Sequence, residues 1–234
     1  VIAGGKKVRS TIILSAGKIF NLDQKKLISI CASVECIHSY SLIHDDLPCM
    51  DNDSMRRGKP STHIKFGEAS AVLAGNSLLT LAFEIIADKN YSINPKLKNQ
   101  IIKSLAFCSG HTGIAGGQEL DLKFENKKKS LKQIIAMQKK KTGKLFNFCL
   151  YAVGVIAKRN NKEKILLSTL GEEIGLLFQF ADDFLDVKGS RKLVGKPIKK
   201  DKKKGKSTLI NLMGYEKAYM YAEKLKKKIL KKLI

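Results

Sequence analysis

Apolar residues recur at three- and four-residue spacing over segments near 7–20, 24–46, 67–88, 96–115, 130–157, 162–188 and 207–233. That spacing predicts amphipathic helices almost throughout the chain. No stretch alternates apolar and polar residues well enough to predict a strand. Pro48 ends the second helix shortly after Asp46, because proline has no amide to continue the ladder and biases Leu47 away from helical angles. Gly116-Gly117 and the Lys-rich stretch from Gly189 to Gly205 read as loops. With no internal repeat and no boundary in composition, the pattern predicts one all-α domain over residues 1–234. The most apolar run, Ala71 to Ala87, is broken by Asn76, Thr80 and Glu84, which predicts a core helix rather than a transmembrane segment. No charged-then-apolar leader precedes the first helix, so no signal peptide is expected.

Two polar stretches break this pattern. The first, Ile43 to Gly58, reads IHDDLPCMDNDSMRRG and crowds Asp45, Asp46, Asp51 and Asp53 beside Arg56 and Arg57. Massed carboxylates beside paired guanidiniums make poor sense as packing, since such acids need cations or water to stay ionised together. All-oxygen acidic ligation suits a hard cation, Mg2+ above all, which keeps waters and accepts phosphate oxygens as its remaining ligands. Arg offers phosphate a planar two-pronged fork. The second stretch, IGLLFQFADDFLDVKG over residues 174–189, sets Asp182, Asp183 and Asp186 in an otherwise apolar helical run. At about 100° per residue, Asp182 and Asp186 lie roughly 40° apart, with Gln179 one turn earlier. A helix greasy on most sides belongs inside a protein, so its acids must line a cavity that holds cations. Together the two stretches predict a site for a polyphosphate held by magnesium.

Charge changes the picture less than its size suggests. The net charge is +23, which would suit nucleic acid or an anionic membrane. Of the 44 basic residues only five are Arg, and runs such as Lys127–Lys129 and Lys202–Lys204 read as solvated faces filled with Lys. No nucleic-acid partner is expected. Three of the five Arg, at 9, 56 and 57, fall in the segments assigned to anions, where Lys would lose the two-pronged geometry. The five cysteines show neither CxxC pairing nor zinc spacing and read as reduced core thiols, pointing to the cytoplasm.

Other residues extend the anion site. His38 lies seven residues before Asp45, on nearly the same helix face and about 10 Å away. The opening GGKKVRS adds Lys6, Lys7 and Arg9 beside flexible glycines, and Lys141-Thr142-Gly143 interrupts a helix. Gly205-Lys206-Ser207 resembles the back half of a P-loop, but Lys200 stands where the front glycine belongs and no strand precedes it, so a nucleotide loop is rejected.

The order GGKxxR, DDxxxxD followed by RRG, KTG, FQxxDDxxD and GKST resembles the trans-prenyltransferases, closest to the bacterial farnesyl diphosphate synthase group. The resemblance runs from Gly4 to about Thr208 in motifs and beyond in helix pattern. It implies an isoprenoid-synthase-type bundle of long helices around a deep central cavity, usually homodimeric, with both acidic motifs facing its mouth. The implied reaction is the Mg2+-dependent condensation of isopentenyl diphosphate with dimethylallyl or geranyl diphosphate. Carried over, Asp45 and Asp51 ligate two ions and Asp182 a third, with Asp46, Asp183 and Asp186 as ligands or their supports; Mn2+ is the alternative metal. Arg56, Lys141, Lys196 and Lys206 would grip the allylic diphosphate, and Lys6, Arg9, His38 and Arg57 the isopentenyl diphosphate. Thr142 and Gln179 would face the allylic cation. Tyr40 matches the bulky residue that stops the growing chain at C15 in farnesyl-type enzymes, although helix geometry alone puts Ser41 nearer the face of Asp45.

Relative to the family, the chain lacks the helix before GGK and the last helical stretch. Other readings stay open: a geranylgeranyl diphosphate synthase, a terpene cyclase (which needs no cradle at Lys6, Arg9 and Arg57) and a non-catalytic partner subunit, which normally has lost one acidic motif.

Overall fold

Long-range packing centres on the helix after the KTG interruption. The computed structural model describes residues 4–188 and 209–233. Its helices are α1 (Val8–Ile19), α2 (Gln24–Asp45), α3 (Thr62–Phe66), α4 (Glu68–Ala87), α5 (Pro95–Ser109), α6 (Ile114–Phe124), α7 (Leu131–Gln138), α8 (Lys144–Ile156), α9 (Asn161–Lys188), α10 (Leu209–Met213) and α11 (Tyr215–Leu233). Local signals start several of them. The Asp23 carboxylate accepts the Lys25 amide at the head of α2, Asn94 and Pro95 open α5, and Ser130 with Gln133 forms a capping box on α7.

Helix α8 buries ten of its residues, among them Phe146, Phe148 and Val153, and packs against α9, α5, α1 and α2. A helix buried on all sides is the axis of the bundle. Between α7 and α8 the chain makes a π-helical turn, Lys139–Gly143, which re-aims the side chains of the KTG motif. Helix α9 lies close on this axis: a Cβ on Gly175 would stand 2.7 Å from the Gly143 Cα, and one on Gly171 would stand 2.3 Å from the Phe146 carbonyl oxygen. One apolar cluster joins residues of α1, α2, α4, α5, α8, α9 and α11.

Several expectations need correction. The segment 96–115 is two helices, because the chain folds sharply between Gly110 and Gly113. Gly116-Gly117 is not a loop but lies within α6. These glycines serve close approach: a Cβ on Gly117 would fall 2.2 Å from the Lys141 amide nitrogen. The last helical segment is broken at Gly214, whose φ of 79° ends α10. A two-residue antiparallel hairpin, β1 (Met55–Arg56) with β2 (Lys59–Pro60), was not visible as an alternation. Cys49 is exposed rather than a core thiol; all five cysteines are free. Ala71 to Ala87 is not a core helix throughout: α4 buries only Ala71, Gly75, Ala82 and Ile86 and exposes Val72, Leu73 and Leu81. By length and composition α2 and α4 could each cross a membrane, among the described residues, but both pack side by side and α2 carries Glu35 and His38. The expected 189–205 loop lies outside the described residues.

Gly117→Ala forces α6 away from backbone atoms rather than from a pliable side chain. We expect a loss of about 1–3 kcal/mol and a Tm lowered by at least about 2 °C in thermal unfolding; an unchanged Tm would contradict this packing.

Candidate active site

The end of α2 is built as a cation-seeking surface. The loop after Asp46 folds back on the helix terminus: the Asp51 amide donates to the Asp45 carbonyl (2.8 Å), and the Asp53 amide to the Asp46 carbonyl (3.1 Å). Asn52 takes a left-handed φ of 48° to make the bend, and its amide donates to the Leu47 carbonyl at 3.0 Å. Asp51 thus returns to Asp45, as the bend after Pro48 suggested. A helix C-terminus already carries roughly half a negative charge, so carboxylates gathered there strengthen its demand for cations.

Arg56 meets two of these acids. Asp46, 2% exposed, receives Arg56 Nε on both oxygens (3.1 Å each) and Arg56 Nη2 on Oδ1. Arg56 also reaches Asp53 at 3.8 Å. Burial alone would lower the Arg56 pKa, but the Asp46 hydrogen bonds and the charges of Asp46, Asp53 and Asp45 outweigh it and raise it. Arg56 was expected to grip diphosphate and Asp46 to ligate metal or support its ligands; here the two side chains hold one another.

The hairpin then delivers Arg57. Arg57 (φ 52°) and Gly58 (φ 75°) form its two-residue turn with both φ positive, as a type I′ turn requires. Arg57 Nη1 donates to the Gly4 carbonyl at 2.8 Å, and a Cβ on Gly5 would stand 2.5 Å from that nitrogen. Lys7, also left-handed at φ 46°, donates to Glu35 Oε2 at 3.1 Å, while Ser10 Oγ donates to Oε1 at 2.8 Å. Three of the six non-glycine residues with positive φ among the described residues, Lys7, Asn52 and Arg57, therefore sit here, where such strain clusters when geometry serves a ligand.

Arg9 links this cradle to the second acidic stretch. Its guanidinium lies 4.8 Å from the Phe146 ring centre, and its buried Nε has no hydrogen-bond partner. Burial lowers its pKa, while the charges of Cys149, Glu35 and Asp182 act the other way. Burial, followed by the nearby charges of Arg9, Arg57, Arg56 and Lys7, holds the His38 imidazole well below its ordinary range. His38 is neutral near pH 7 and can donate a hydrogen bond from one ring nitrogen. Lys6 is exposed at the rim.

At the end of α9, Gln179 Nε2 donates to Asp183 Oδ1 at 2.9 Å, and the Leu209 amide donates to Oδ2 at 3.2 Å. Thr142 Oγ1 donates to Gln179 Oε1 at 3.1 Å, so the KTG and FQxxDDxxD motifs meet. Asp183 and Asp186 are buried, and Asp182 is half-buried. Lys141 donates to Asp121 Oδ2 at 2.6 Å. Tyr40 is buried and meets His44 edge-on, with ring centres 5.6 Å apart; the buried Ser41 hydroxyl donates to the His38 carbonyl of its own helix at 3.0 Å. Lys196 and Lys206 lie outside the described residues.

Three participants escaped sequence reading: Glu35, Asp121 and Gln118. Gln118 is buried with no hydrogen-bond partner at either amide atom. The signal was the spacing of Gln118 and Asp121, three apart on one helix face, concealed by reading the preceding glycines as a loop.

Among the described residues no three His, Cys, Asp or Glu side chains converge into a preformed metal cage. This donor set fits magnesium nonetheless: it is all oxygen, and Mg2+ is ordinarily bound by one or two carboxylates, with waters and phosphate oxygens filling its octahedron.

The Polyprenyl synthetase family model matches residues 1–233. Farnesyl diphosphate synthase of Escherichia coli (strain K12) is 41% identical over 227 residues, 96% of this chain and 76% of that protein. Geranylgeranyl pyrophosphate synthase 4 of Arabidopsis thaliana is 39% identical over 230 residues, 97% of this chain and 61% of that protein. The crystal structure of geranyltransferase from Helicobacter pylori complexed with magnesium and isoprenyl diphosphate superposes with a TM-score of 0.88 at 35% identity, covering 98% of this chain and 77% of that one. With its helical fold, its two acidic helix ends and a family match along nearly its whole length, this chain belongs to the polyprenyl synthetase family.

Proposed function

We propose that the chain, as one domain, condenses isopentenyl diphosphate head-to-tail with an allylic diphosphate, dimethylallyl or geranyl, to give farnesyl diphosphate and pyrophosphate. The observation that carries this reading is the gathering of Arg9, Arg56 and Arg57 about the buried, neutral His38, with Asp182 near Arg9 and Asp45 near Arg56. A cation cluster set between two acidic helix ends suits two diphosphates, one held through metal and one through protein cations.

In this reading Asp45, Asp51 and Asp182 ligate three magnesium ions, or manganese in their place. Asp46, Asp183 and Asp186 act as ligands or hold the ligands in place. Bound magnesium supplies the charge that lets a diphosphate leave carbon. The allylic C–O bond breaks with its electron pair going to diphosphate, and the isopentenyl double bond attacks the resulting allylic cation. A proton is then lost to the departing diphosphate, which leaves no role for a protein nucleophile. Asp46 occupies the Nε and Nη2 edge of Arg56 and leaves Nη1 for phosphate. Lys141, with Lys196 and Lys206, completes the grip and exchanges Asp121 for phosphate as the substrate enters. Lys6, Arg9, Arg57 and a hydrogen bond from neutral His38 hold isopentenyl diphosphate. The Thr142–Gln179–Asp183 chain of hydrogen bonds fixes two oxygens near the cation, and the apolar core excludes water that would quench it.

Tyr40, buried on α2, is the floor that ends growth at C15. The geranylgeranyl reading stays second, favoured by relatives such as the Arabidopsis synthase. The exposed apolar face of α4, with Leu73 at 64% exposure, supports a homodimer formed through that helix. The free thiols support a cytoplasmic location.

Purified protein given labelled isopentenyl diphosphate, geranyl diphosphate and Mg2+ is expected to yield farnesyl diphosphate on chromatography. Asp45→Asn and Asp182→Asn are each expected to cut kcat about 10²–10³-fold with folding intact by circular dichroism. Undiminished turnover in EDTA, or in both variants, would overturn the reading. Leu73→Glu places a charge on the exposed apolar face and is expected to shift sedimentation from dimer to monomer; an unchanged dimer would exclude this interface.

A further inference from the structure

Tyr40 does not stand alone on α2. His44 lies one turn later on the same helix face, and the two rings meet edge to face at 85° with centres 5.6 Å apart. His44 is in turn fixed against α4 from two sides. Its Nε2 lies 3.1 Å from the Val72 carbonyl oxygen, to which it donates. Its ring tip fills a slot that exists only because residue 75 has no side chain: a Cβ on Gly75 would stand 2.0 Å from Nε2, 2.3 Å from Cδ2 and 2.8 Å from Cε1. The Val72 carbonyl and the buried Gly75 lie within one turn of α4, and both meet the same imidazole of α2. No substitution at 75 leaves the imidazole where it is.

We infer that His44 and Gly75 are positioning residues for product length, acting through Tyr40. The inference rests on the reading of Tyr40 as the floor of the cavity. A floor that distinguishes C15 from C20 must resist one more five-carbon unit pressing on it, and an aromatic side chain yields by turning about χ1. The His44 ring, pinned at Val72 and seated in the Gly75 slot, blocks part of that turn. Product length then depends on how closely α4 approaches α2 at residue 75 as well as on the bulk of residue 40. Because α4 also carries the exposed apolar face, the helix that sets the slot is the one proposed to meet the second copy.

The test is the ratio of C20 to C15 product in the full chain with Mg2+, geranyl diphosphate and excess isopentenyl diphosphate. A ratio within one preparation is insensitive to the fraction of protein that folds or to overall rate, so a merely structural role would leave it unmoved. Tyr40→Ala serves as the control and is expected to lengthen the product. His44→Ala and Gly75→Ala are each expected to raise the ratio about tenfold, the scale on which a pocket wall discriminates small apolar differences. The double variant is expected to match His44→Ala alone, since the alanine at 75 acts only by displacing the imidazole. If Tyr40→Ala lengthens the product while His44→Ala and Gly75→Ala keep the wild-type ratio, this inference is overturned and the floor stands. If Tyr40→Ala itself keeps the wild-type ratio, the floor reading falls and takes the inference with it. His44→Ala removes atoms without adding any, so the proposal stays testable even if Gly75→Ala does not fold.

Discussion

Carboxylates at the carbonyl end of a helix repel one another and oppose the helix dipole, and this chain gathers such groups at the ends of two long helices. Asp45 and Asp46 close α2, with Asp51 and Asp53 returned to them by backbone hydrogen bonds. Asp182, Asp183 and Asp186 fall in the last two turns of α9. At short range in a low-dielectric interior, like charges cost several kcal/mol unless compensated. Arg56 answers this demand at Asp46, and the Gln179 amide and the Leu209 amide answer it at Asp183. Helix ends this rich in carboxylates suit an occupant that brings divalent ions of its own.

Much of the fold serves that arrangement. The π-helical turn at Lys139–Gly143 carries Lys141 toward α6 and Thr142 toward Gln179, and the glycines of α6 and α9 permit the close contacts on which both depend. The left-handed residues Lys7, Asn52 and Arg57 hold the basic cradle in conformations an unconstrained chain would rarely adopt. Preorganisation of this kind lets charge develop on a leaving group without the protein having to rearrange.

The long helices were legible because their apolar period is a property of each segment alone. The acidic motifs were legible because acids of that density have few structural uses. What escaped depended on contacts between segments. Gly117 resembles a loop residue until the backbone at Lys141 stands beside it, and Asp121 looks like a surface acid until Lys141 reaches it. That Arg56 and Asp46 bond each other is invisible in the sequence, which shows both residue types but not their pairing across the intervening loop. The two-residue hairpin is too short for alternation to register, though Arg57-Gly58 is the kind of pair a tight turn uses. The apolar run of α4 reads as core because composition does not say which face packs inward and which stays exposed.

The central claim is that both acidic helix ends share one diphosphate through divalent ions. A crystal structure with Mn2+ and an unreactive geranyl diphosphate analogue tests it directly through anomalous scattering. The account predicts manganese peaks joining the analogue's phosphate oxygens to Asp45 and Asp51 on one side and to Asp182 on the other. Manganese bound at only one helix end, or a diphosphate seated without metal, would contradict it.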